Sequence, residues 1–327
     1  MQASRTESST LCGMAGPSEP WRHHYVPQFY ISNWAGPDGL VWQRSRTPRG
    51  TFKDRRVSTR ATGFAEDLYT LRSKLPFARQ SDPAEIETKL MQKLDDLSAG
   101  ALQKLVVDGV VALDPGERED WALFMNGLIE RAARRLRQHD QRAVEVASSL
   151  TAEHLARMPV ERRDRMASLL DPALQAAWAN NIVRSHMVDQ IRDPKVIEYL
   201  VSMEWHVLTL PSDSNLAGAD AELITTDAPL LINCGRDDRP IHTLSIALDP
   251  HRLFFAQNKT EPLTEEFAGA LWLTHGVSLL MQPCSFVYSA RKLSDGKAVR
   301  LRAASEMYMS GAATPTGDGS DEGGQTK

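Results

Sequence analysis

The feature that most constrains the fold is a change of hydrophobic period along the chain. Between residues 82 and 201, apolar residues recur at steps of three or four, as in helices packed through one stripe. From Trp205 onward, short β-branched or aromatic runs are bounded by Gly, Pro and Asp, which predicts strands joined by turns. The chain is therefore predicted to be α+β, with a helical layer (82–201) packed on a mostly antiparallel sheet built from C-terminal and some N-terminal strands.

Asp-Pro pairs mark the predicted helix starts. Asp82-Pro83-Ala84-Glu85 and Asp114-Pro115-Gly116-Glu117 each place a capping acceptor before proline and a glutamate at the third position. Asp171-Pro172 and Asp193-Pro194 start two further predicted helices. In the helix after Asp171, the spacing predicts that Leu174, Trp178, Ile182 and Ser185 face inward.

The chain of 327 residues is long enough for one large domain or two of ordinary size. Residues 1–20 and 311–327 are polar and poor in large apolar residues, so they are predicted to be a disordered leader and a disordered tail. The interpretation with N-terminal strands in the sheet gives a single α+β domain over 21–310, with a helical part (82–201) and a sheet part (205–290).

Composition and charge exclude several classes of protein. The formal net charge of -4 gives no global attraction to nucleic acid or to an anionic membrane. No run approaches the ~18 apolar residues of a membrane helix, and the first twenty residues lack a signal-peptide core. The three cysteines are too scattered for a disulfide framework, and their odd number fits the cytoplasm. Cys234 and Cys284 are expected to be buried.

Residues 21–34 combine two histidines, five aromatic residues and a proline. Pro27 favours an extended Tyr25-Val26, and Phe29, Tyr30 and Trp34 fit one face of a short turn or helix. One interpretation is a segment that places its aromatic rings in the core. The other makes His24 an acid–base group or a metal ligand, because imidazole titrates near neutrality and binds metals.

His24–Tyr30 resembles the opening signature of the bacterial family known as domain of unknown function 4238. Ile224–Pro229, Ile246–Pro250 and Phe286–Ser289 resemble further blocks of that family, so the resemblance covers about residues 21 to 290. It implies a fold and a location, but no activity, because the family has none assigned. His23, Thr226 and Ala228 stand where the family usually has glutamine, serine and asparagine. These differences leave a hydroxyl but no amide beside Asp227.

Two acidic residues join His24 as candidates for chemistry. Glu87 lies next to the apolar stripe of a helix, in an Ile-Glu pair similar to one in the resembled family; alternatively it is the solvated edge of that stripe. Asp227 follows a predicted strand, where a side chain can face a cleft; alternatively it forms an Asx-type turn. Tyr25, Gln28, Arg131 and Thr226 are the candidate substrate-binding residues. The arginines from Arg131 to Arg142 are also explained by a helix C-terminus, whose dipole favours cations.

Two functional hypotheses follow. In the first, the protein is a hydrolase-like enzyme in which His24, Glu87 and Asp227 converge on a cleft, where they hold a divalent metal (Mg, Mn or Zn) or act as general acid and base. The basic loop Arg44–Arg60 would then bind a phosphate-bearing or nucleic-acid substrate. In the second, the protein is a non-catalytic binding or regulatory protein, and the same loop is its partner surface.

Overall fold

The computed structural model describes residues 21–47, 51–72, 82–160, 162, 171–209, 222–234, 241–258, 262–294 and 296. The predicted leader and tail lie outside these residues. The N-terminal part contains β1 (Arg22–His24), helix α1 (Gln28–Ile31), β2 (Leu40–Arg46), β3 (Phe52–Ser58) and β4 (Phe64–Glu66). Short 3₁₀ turns cover Ser32–Trp34 and Thr59–Ala61.

The middle of the chain is helical, as predicted. A π-helical turn (Ile86–Met91) leads into α2 (Gln92–Val107), which is followed by α3 (Pro115–Glu130), α4 (Ala133–Ala156), α5 (Pro172–Ile191) and α6 (Pro194–Ser202). The predicted capping box of α3 is confirmed: Asp114 Oδ1 accepts the N–H of Glu117 at 2.9 Å, and Glu117 Oε2 accepts the N–H of Asp114 at 3.0 Å. Glu85, expected to cap the first helix, instead forms an ion pair with Lys89 at 3.0 Å.

The C-terminal part contains β5 (Glu204–Thr209), β6 (Thr225–Thr226), β7 (Leu231–Asn233), β8 (Thr243–Asp249), β9 (Arg252–Gln257), helix α7 (Glu265–Leu280) and β10 (Phe286–Ser289). All the strand pairings are antiparallel among the described strands. β1 pairs with β4, one sheet has the order β3-β2-β10-β6, and another has the order β5-β9-β8-β7. N-terminal and C-terminal strands therefore share a sheet, and the α+β prediction is confirmed, with two four-stranded sheets in place of one.

One connected hydrophobic core includes side chains from the helices and from both four-stranded sheets. Trp34, Trp121 and Phe254, from three distant parts of the chain, are all fully buried within it. Trp121 stacks on Phe124 with ring centroids 4.9 Å apart and meets Phe254 edge-on at 5.8 Å. These aromatic contacts join α3 to β9, so the helical layer and the sheet are packed as one unit.

Several local predictions are wrong. Trp178 and Ile182 are about half exposed and Ser185 is exposed. The buried residues of α5 are instead Gln175, Ala179, Val183, Arg184, Met187 and Ile191. The predicted face and the observed buried face are offset by one residue. The apolar stripe points to solvent, and the stripe that packs on α4 contains both polar and apolar side chains. Cys234 is exposed, although Cys284 is partly buried as a free thiol.

Two predicted elements also differ in kind. Residues 67–71, whose Asp-Leu-Tyr-Thr-Leu run is strand-like in sequence, are mostly in turns. The predicted basic loop Arg44–Arg60 is instead mainly the β2–β3 hairpin, in which Trp42 pairs with Arg56 and Arg44 with Asp54. Across the described part of the chain, no helix is both long enough and apolar enough to span a bilayer.

Candidate functional site

The sequence blocks that carry the resemblance contact each other directly. The Tyr30 hydroxyl lies 2.7 Å from Thr225 Oγ1 and donates to the carbonyl of Ala247 at 2.8 Å. Trp34 Nε1 donates to the carbonyl of Leu223 at 3.0 Å. Tyr30 and Trp34 are fully buried, so the interpretation of residues 21–34 as a segment that fills the core is confirmed for these two rings.

A cleft of about 870 Å³ lies beside this junction. Its walls come from the end of α3 (Leu128, Ile129), from the start of α4 (132–135 and 137–139), from the turn Asp227–Leu230 with Ile232, and from the segment Gln282–Phe286, with Tyr25 and Phe64 completing it. Three segments that are distant in the sequence thus enclose one space. Clefts of this size and construction are where proteins commonly hold small ligands.

Asp227 is held firmly in the cleft wall. The backbone N–H groups of Ser285 and Phe286 donate to its Oδ1 at 2.8 and 3.0 Å. Burial raises the pKa of the Asp227 carboxyl above its usual value, although these hydrogen bonds act in the opposite direction. In an Asx-type turn, the alternative from the sequence, the carboxylate would bond only to nearby backbone. The Asp227 carboxylate instead connects the turn after β6 to the start of β10. Asp227 therefore combines an anchored position with a raised proton affinity.

Tyr25 brings the signature into the same cleft. Its hydroxyl interacts with the Asp227 carboxylate, and burial together with that negative charge raises the pKa of Tyr25 above its usual range. Arg137, on the opposite wall, acts in the other direction on the same hydroxyl. Tyr25 thus lies between an acidic and a basic group. The prediction that Tyr25 binds substrate is not tested by this geometry, but the residue lines the cleft.

The basic residues of the cleft lie at a helix start. Chain geometry breaks at Ala132 (φ -56°, ψ 122°), so α3 ends at Glu130 and Arg134, Arg135 and Arg137 fall in the first two turns of α4. The explanation by a helix C-terminus is therefore wrong for these residues, since the dipole at the N-terminus adds to their positive charge. Arg135 is paired with Glu130 at 3.0 Å, and Ala132 offers no capping side chain. The wall is electropositive and favours an anion.

Thr226, predicted to bind substrate, has another role. Its Oγ1 donates to the carbonyl of Ala228 at 2.9 Å and lies 3.1 Å from the N–H of the same residue. The side chain is fully buried. Its hydroxyl therefore shapes the turn that presents Asp227.

His24 is half buried beside the cleft residues, with its ring 5.7 Å from that of Phe64. Gln28 Nε2 lies 3.5 Å from His24 Nδ1, so Gln28 contacts the histidine and is not itself part of the described cleft lining. Burial lowers the pKa of His24 below its usual value, while the Arg60 backbone acts to raise it. The ring is therefore mainly neutral near pH 7.

A second polar group lies behind the cleft, and we call Glu87, Asp95 and Arg131 the buried charge cluster. Arg131 is fully buried, pairs with Asp95 through Nη1 at 2.7 Å, and accepts a hydrogen bond at its carbonyl from Tyr69 at 3.2 Å. Glu87 is 8% exposed and sits in the π-helical turn, a geometry often found at functional sites. Burial, together with Asp95, raises the pKa of Glu87 to about 7, against the opposing effect of Arg131.

The predicted metal site of His24, Glu87 and Asp227 is not formed. Throughout the ranges that the structure describes, no three or more His, Cys, Asp or Glu side chains are placed to hold a metal ion. The physical reason is that each residue has its own partners: Asp227 has backbone N–H groups and Tyr25, Glu87 has the charge cluster, and His24 has Gln28. Their roles as acid–base residues stay predictions.

The β2–β3 hairpin carries fewer free cations than the sequence implied. Arg44 binds Asp54 through two parallel hydrogen bonds of 2.6 and 2.7 Å, and Arg56 lies 2.6 Å from Asp38. Lys53 and Arg55 are exposed on β3, and no ion pair of either is present among the described residues. Arg60, in the turn after β3, is also exposed, and no ion pair of it is present in the described ranges. A nucleic-acid contact through Arg44–Arg60 stays a prediction that, within the described residues, rests mainly on Lys53, Arg55 and Arg60.

Sequence reasoning missed three polar residues. His23 is fully buried, accepts the N–H of Tyr69 at 2.8 Å through Nδ1, and stacks on the Tyr69 ring. Asp95 completes the charge cluster. Gln43 on β2 is 1% exposed, and neither of its amide atoms has a hydrogen-bond partner within the part of the chain that the structure describes. The doubled histidine was a usable signal for His23. Nothing local marks Asp95 or Gln43, because their burial arises from distant packing.

The fold and site together define an α+β protein with a cleft that joins an anchored carboxylate to a cationic helix start. Residues 22–270 match a known protein family, described as Protein of unknown function (DUF4238). The chain belongs to that family. Comparison of the chain with curated proteins and with solved structures found no match.

Proposed function

We propose that this protein is a hydrolase-like enzyme that takes a phosphate-bearing substrate into the cleft. The observation that carries the proposal is the meeting of Asp227 and Tyr25 opposite Arg134 and Arg137 in one cleft. The arginines and the uncapped start of α4 would hold the anionic group. Asp227, whose pKa is raised, would exchange a proton with the attacking water or the leaving group.

The proposal also treats the protein as bacterial and cytoplasmic. The resemblance of His24–Tyr30 supports a bacterial source, and the free thiols of Cys234 and Cys284 suit a reducing compartment. A nucleic-acid substrate belongs to the same proposal, because a phosphodiester presents the anionic group that the cleft favours.

The experiment compares turnover of p-nitrophenyl phosphate, bis(p-nitrophenyl) phosphate and a single-stranded oligonucleotide, with Mg²⁺, Mn²⁺, Zn²⁺ or chelator. Asp227→Asn keeps an oxygen for the Ser285 and Phe286 N–H groups but cannot accept the proton, so we expect kcat/KM to fall about 100-fold or more with the fold intact. Arg137→Ala should raise KM. Arg142→Ala, on the same helix and outside the described cleft lining, is the control that should leave both constants unchanged.

The second candidate is a non-catalytic binding protein. The hydrogen bonds of Asp227 favour this candidate. Its Oδ1 already accepts two backbone N–H groups, so the carboxylate has a structural role that requires no catalysis. This hypothesis predicts that an anionic ligand binds, that Arg137→Ala weakens its binding, and that no substrate turns over in any variant. Turnover by the wild-type protein that is lost in Asp227→Asn would support the enzyme and contradict the binding-protein hypothesis.

A further inference from the structure

Trp21, Arg22 and Phe64 form a stacked group beside the cleft. The guanidinium carbon of Arg22 lies 4.4 Å from the centroid of the Trp21 ring and 4.9 Å from the centroid of the Phe64 ring. Phe64 also lines the cleft, whereas Trp21 and Arg22 lie outside the described lining. The stacked group therefore continues the cleft wall onto the surface of the β1–β4 pair.

The stacked group is accessible, and its backbone is held in place. Trp21 is 47% exposed and Phe64 is partly exposed, so aromatic surface faces solvent. The carbonyl of Trp21 accepts the N–H of Asp67 at 2.9 Å, and the next residue, Arg22, lies opposite Glu66 in the β1–β4 register. An exposed aromatic ring on a fixed backbone offers contact area at a low cost in conformational entropy.

Exposed positive charge lies close to these rings. Arg22 is exposed, and none of the ion pairs formed within the described ranges includes it. Arg60 is exposed as well, and its backbone interacts with the His24 ring. That ring lies 5.7 Å from the ring of Phe64, which is its partner in the strand register. Two exposed cations thus accompany the stacked group, in addition to those of the cleft.

Cations combined with accessible aromatic rings favour one class of phosphate-bearing ligand. Proteins that bind single-stranded nucleic acid place cations along its phosphate backbone and stack its bases on aromatic side chains. The bases of a duplex are already stacked on each other, so they cannot use such a ring. A sugar phosphate could bind Arg134 and Arg137 in the cleft, but it would leave the stacked group without a role.

We propose that the ligand of the cleft is a single-stranded nucleic acid, one of whose bases stacks on Trp21 while its backbone passes Arg22 towards Arg134 and Arg137. The inference rests on the proposed function, because the cleft must accept a phosphate group, but it concerns binding and requires no turnover. Trp21 and Arg22 are thereby specificity-determining residues, since they distinguish a strand that carries bases from other phosphate esters.

The test is binding of a fluorescently labelled single-stranded oligonucleotide to the full chain, measured by anisotropy with chelator present and with the strand checked for cleavage afterwards. Trp21→Ala should weaken binding about tenfold, as expected for the loss of one stacked base. Trp21→Phe keeps a ring and should restore most of the affinity. Arg22→Ala should weaken binding and lower the slope of log K against log salt by about 0.7.

The matched control is Trp178→Ala, because Trp178 is 50% exposed on α5 and lies outside the described cleft lining. Its binding should equal that of the wild type. A duplex of the same sequence and the mononucleotide AMP should both bind more weakly than the single strand. Unchanged binding in Trp21→Ala, equal losses in Trp21→Ala and Trp178→Ala, or a duplex or AMP bound as tightly as the strand would overturn the proposal.

These measurements separate the strand proposal from the hydrolase proposal. Strand binding that depends on Trp21, with no turnover of any substrate, would support the strand and contradict hydrolysis. Turnover of p-nitrophenyl phosphate that is lost in Asp227→Asn, with strand binding absent or insensitive to Trp21, would support hydrolysis and overturn the strand.

Discussion

The hydroxyl of Tyr30 lies 2.7 Å from Thr225 Oγ1, although the two residues are 195 positions apart in the sequence. This contact joins the N-terminal signature to the strand that leads directly to Asp227. It is fully buried and is reinforced by the bond from the same hydroxyl to the carbonyl of Ala247. The position of the cleft carboxylate therefore depends on an aromatic residue in the first helix.

Tyr30→Phe tests this relationship. The change removes both hydrogen bonds and leaves a buried carbonyl and a buried hydroxyl without their partner, so we expect the free energy of unfolding to fall by about 1–3 kcal/mol. Urea denaturation measures it. In a double-mutant cycle with Thr225→Val, the coupling energy between the two sites should exceed about 0.5 kcal/mol. Additive effects of the two changes would contradict a direct hydrogen bond.

Gly63 holds the signature in place through its backbone. Its carbonyl accepts the N–H groups of Tyr25 and Val26 at 2.9 and 3.1 Å, its φ is +67°, and an added Cβ would lie 3.0 Å from Ile31 Cδ1. Gly63→Ala should therefore combine backbone strain with a clash. The control is Gly39→Ala: Gly39 has φ +72°, and no atom of the described residues lies within 4 Å of the added Cβ.

We expect Gly39→Ala to lower the free energy of unfolding by about 1–2 kcal/mol, from strain alone, and Gly63→Ala to cost at least about 1 kcal/mol more. Equal losses for the two variants would show that the contact with the signature carries no energetic weight.

Glu87→Gln tests the charge cluster through the pH dependence of stability. The pKa of Glu87 rises from 4.5 to about 7 on folding, so its stabilising contribution is fully present below pH 4.5 and is lost as the pH rises towards 7. The loss amounts to about 3 kcal/mol over this window, with a slope of up to about 1.4 kcal/mol per pH unit. Glu87→Gln should remove this contribution and make the fall in stability between pH 4.5 and 7 correspondingly smaller.

The control for this measurement is Glu85→Gln, two positions away, where the carboxylate pairs with Lys89 at the surface. Its profile of unfolding free energy against pH should keep the wild-type slope between pH 4.5 and 7. A wild-type slope that survives in Glu87→Gln would rule out a buried, titrating Glu87.

The hairpin prediction concerns nucleic acid. Because Arg44 and Arg56 are paired with aspartates, Lys53→Ala with Arg55→Ala should remove most of the free charge of β3. Binding of a fluorescent oligonucleotide should weaken, and the slope of log K against log salt should decrease by about 1–2. Arg56→Ala is the matched control with a smaller expected effect. Unchanged binding in the double variant would remove the hairpin as a nucleic-acid surface.

The chain alone determined the features that depend on neighbouring residues: the helical middle, the capped start at Asp114, the strands after Trp205 and the buried rings of Tyr30 and Trp34. Periodicity and capping can be inferred from sequence because they arise within a few residues of each other. The rest was decided by tertiary packing. The break at Ala132 turns Arg131 inward and puts Arg134 and Arg137 at a helix start, and long-range contacts give Asp227 and Glu87 different partners. No local pattern reports these outcomes, because burial and pairing of polar groups depend on segments that meet only in the folded chain.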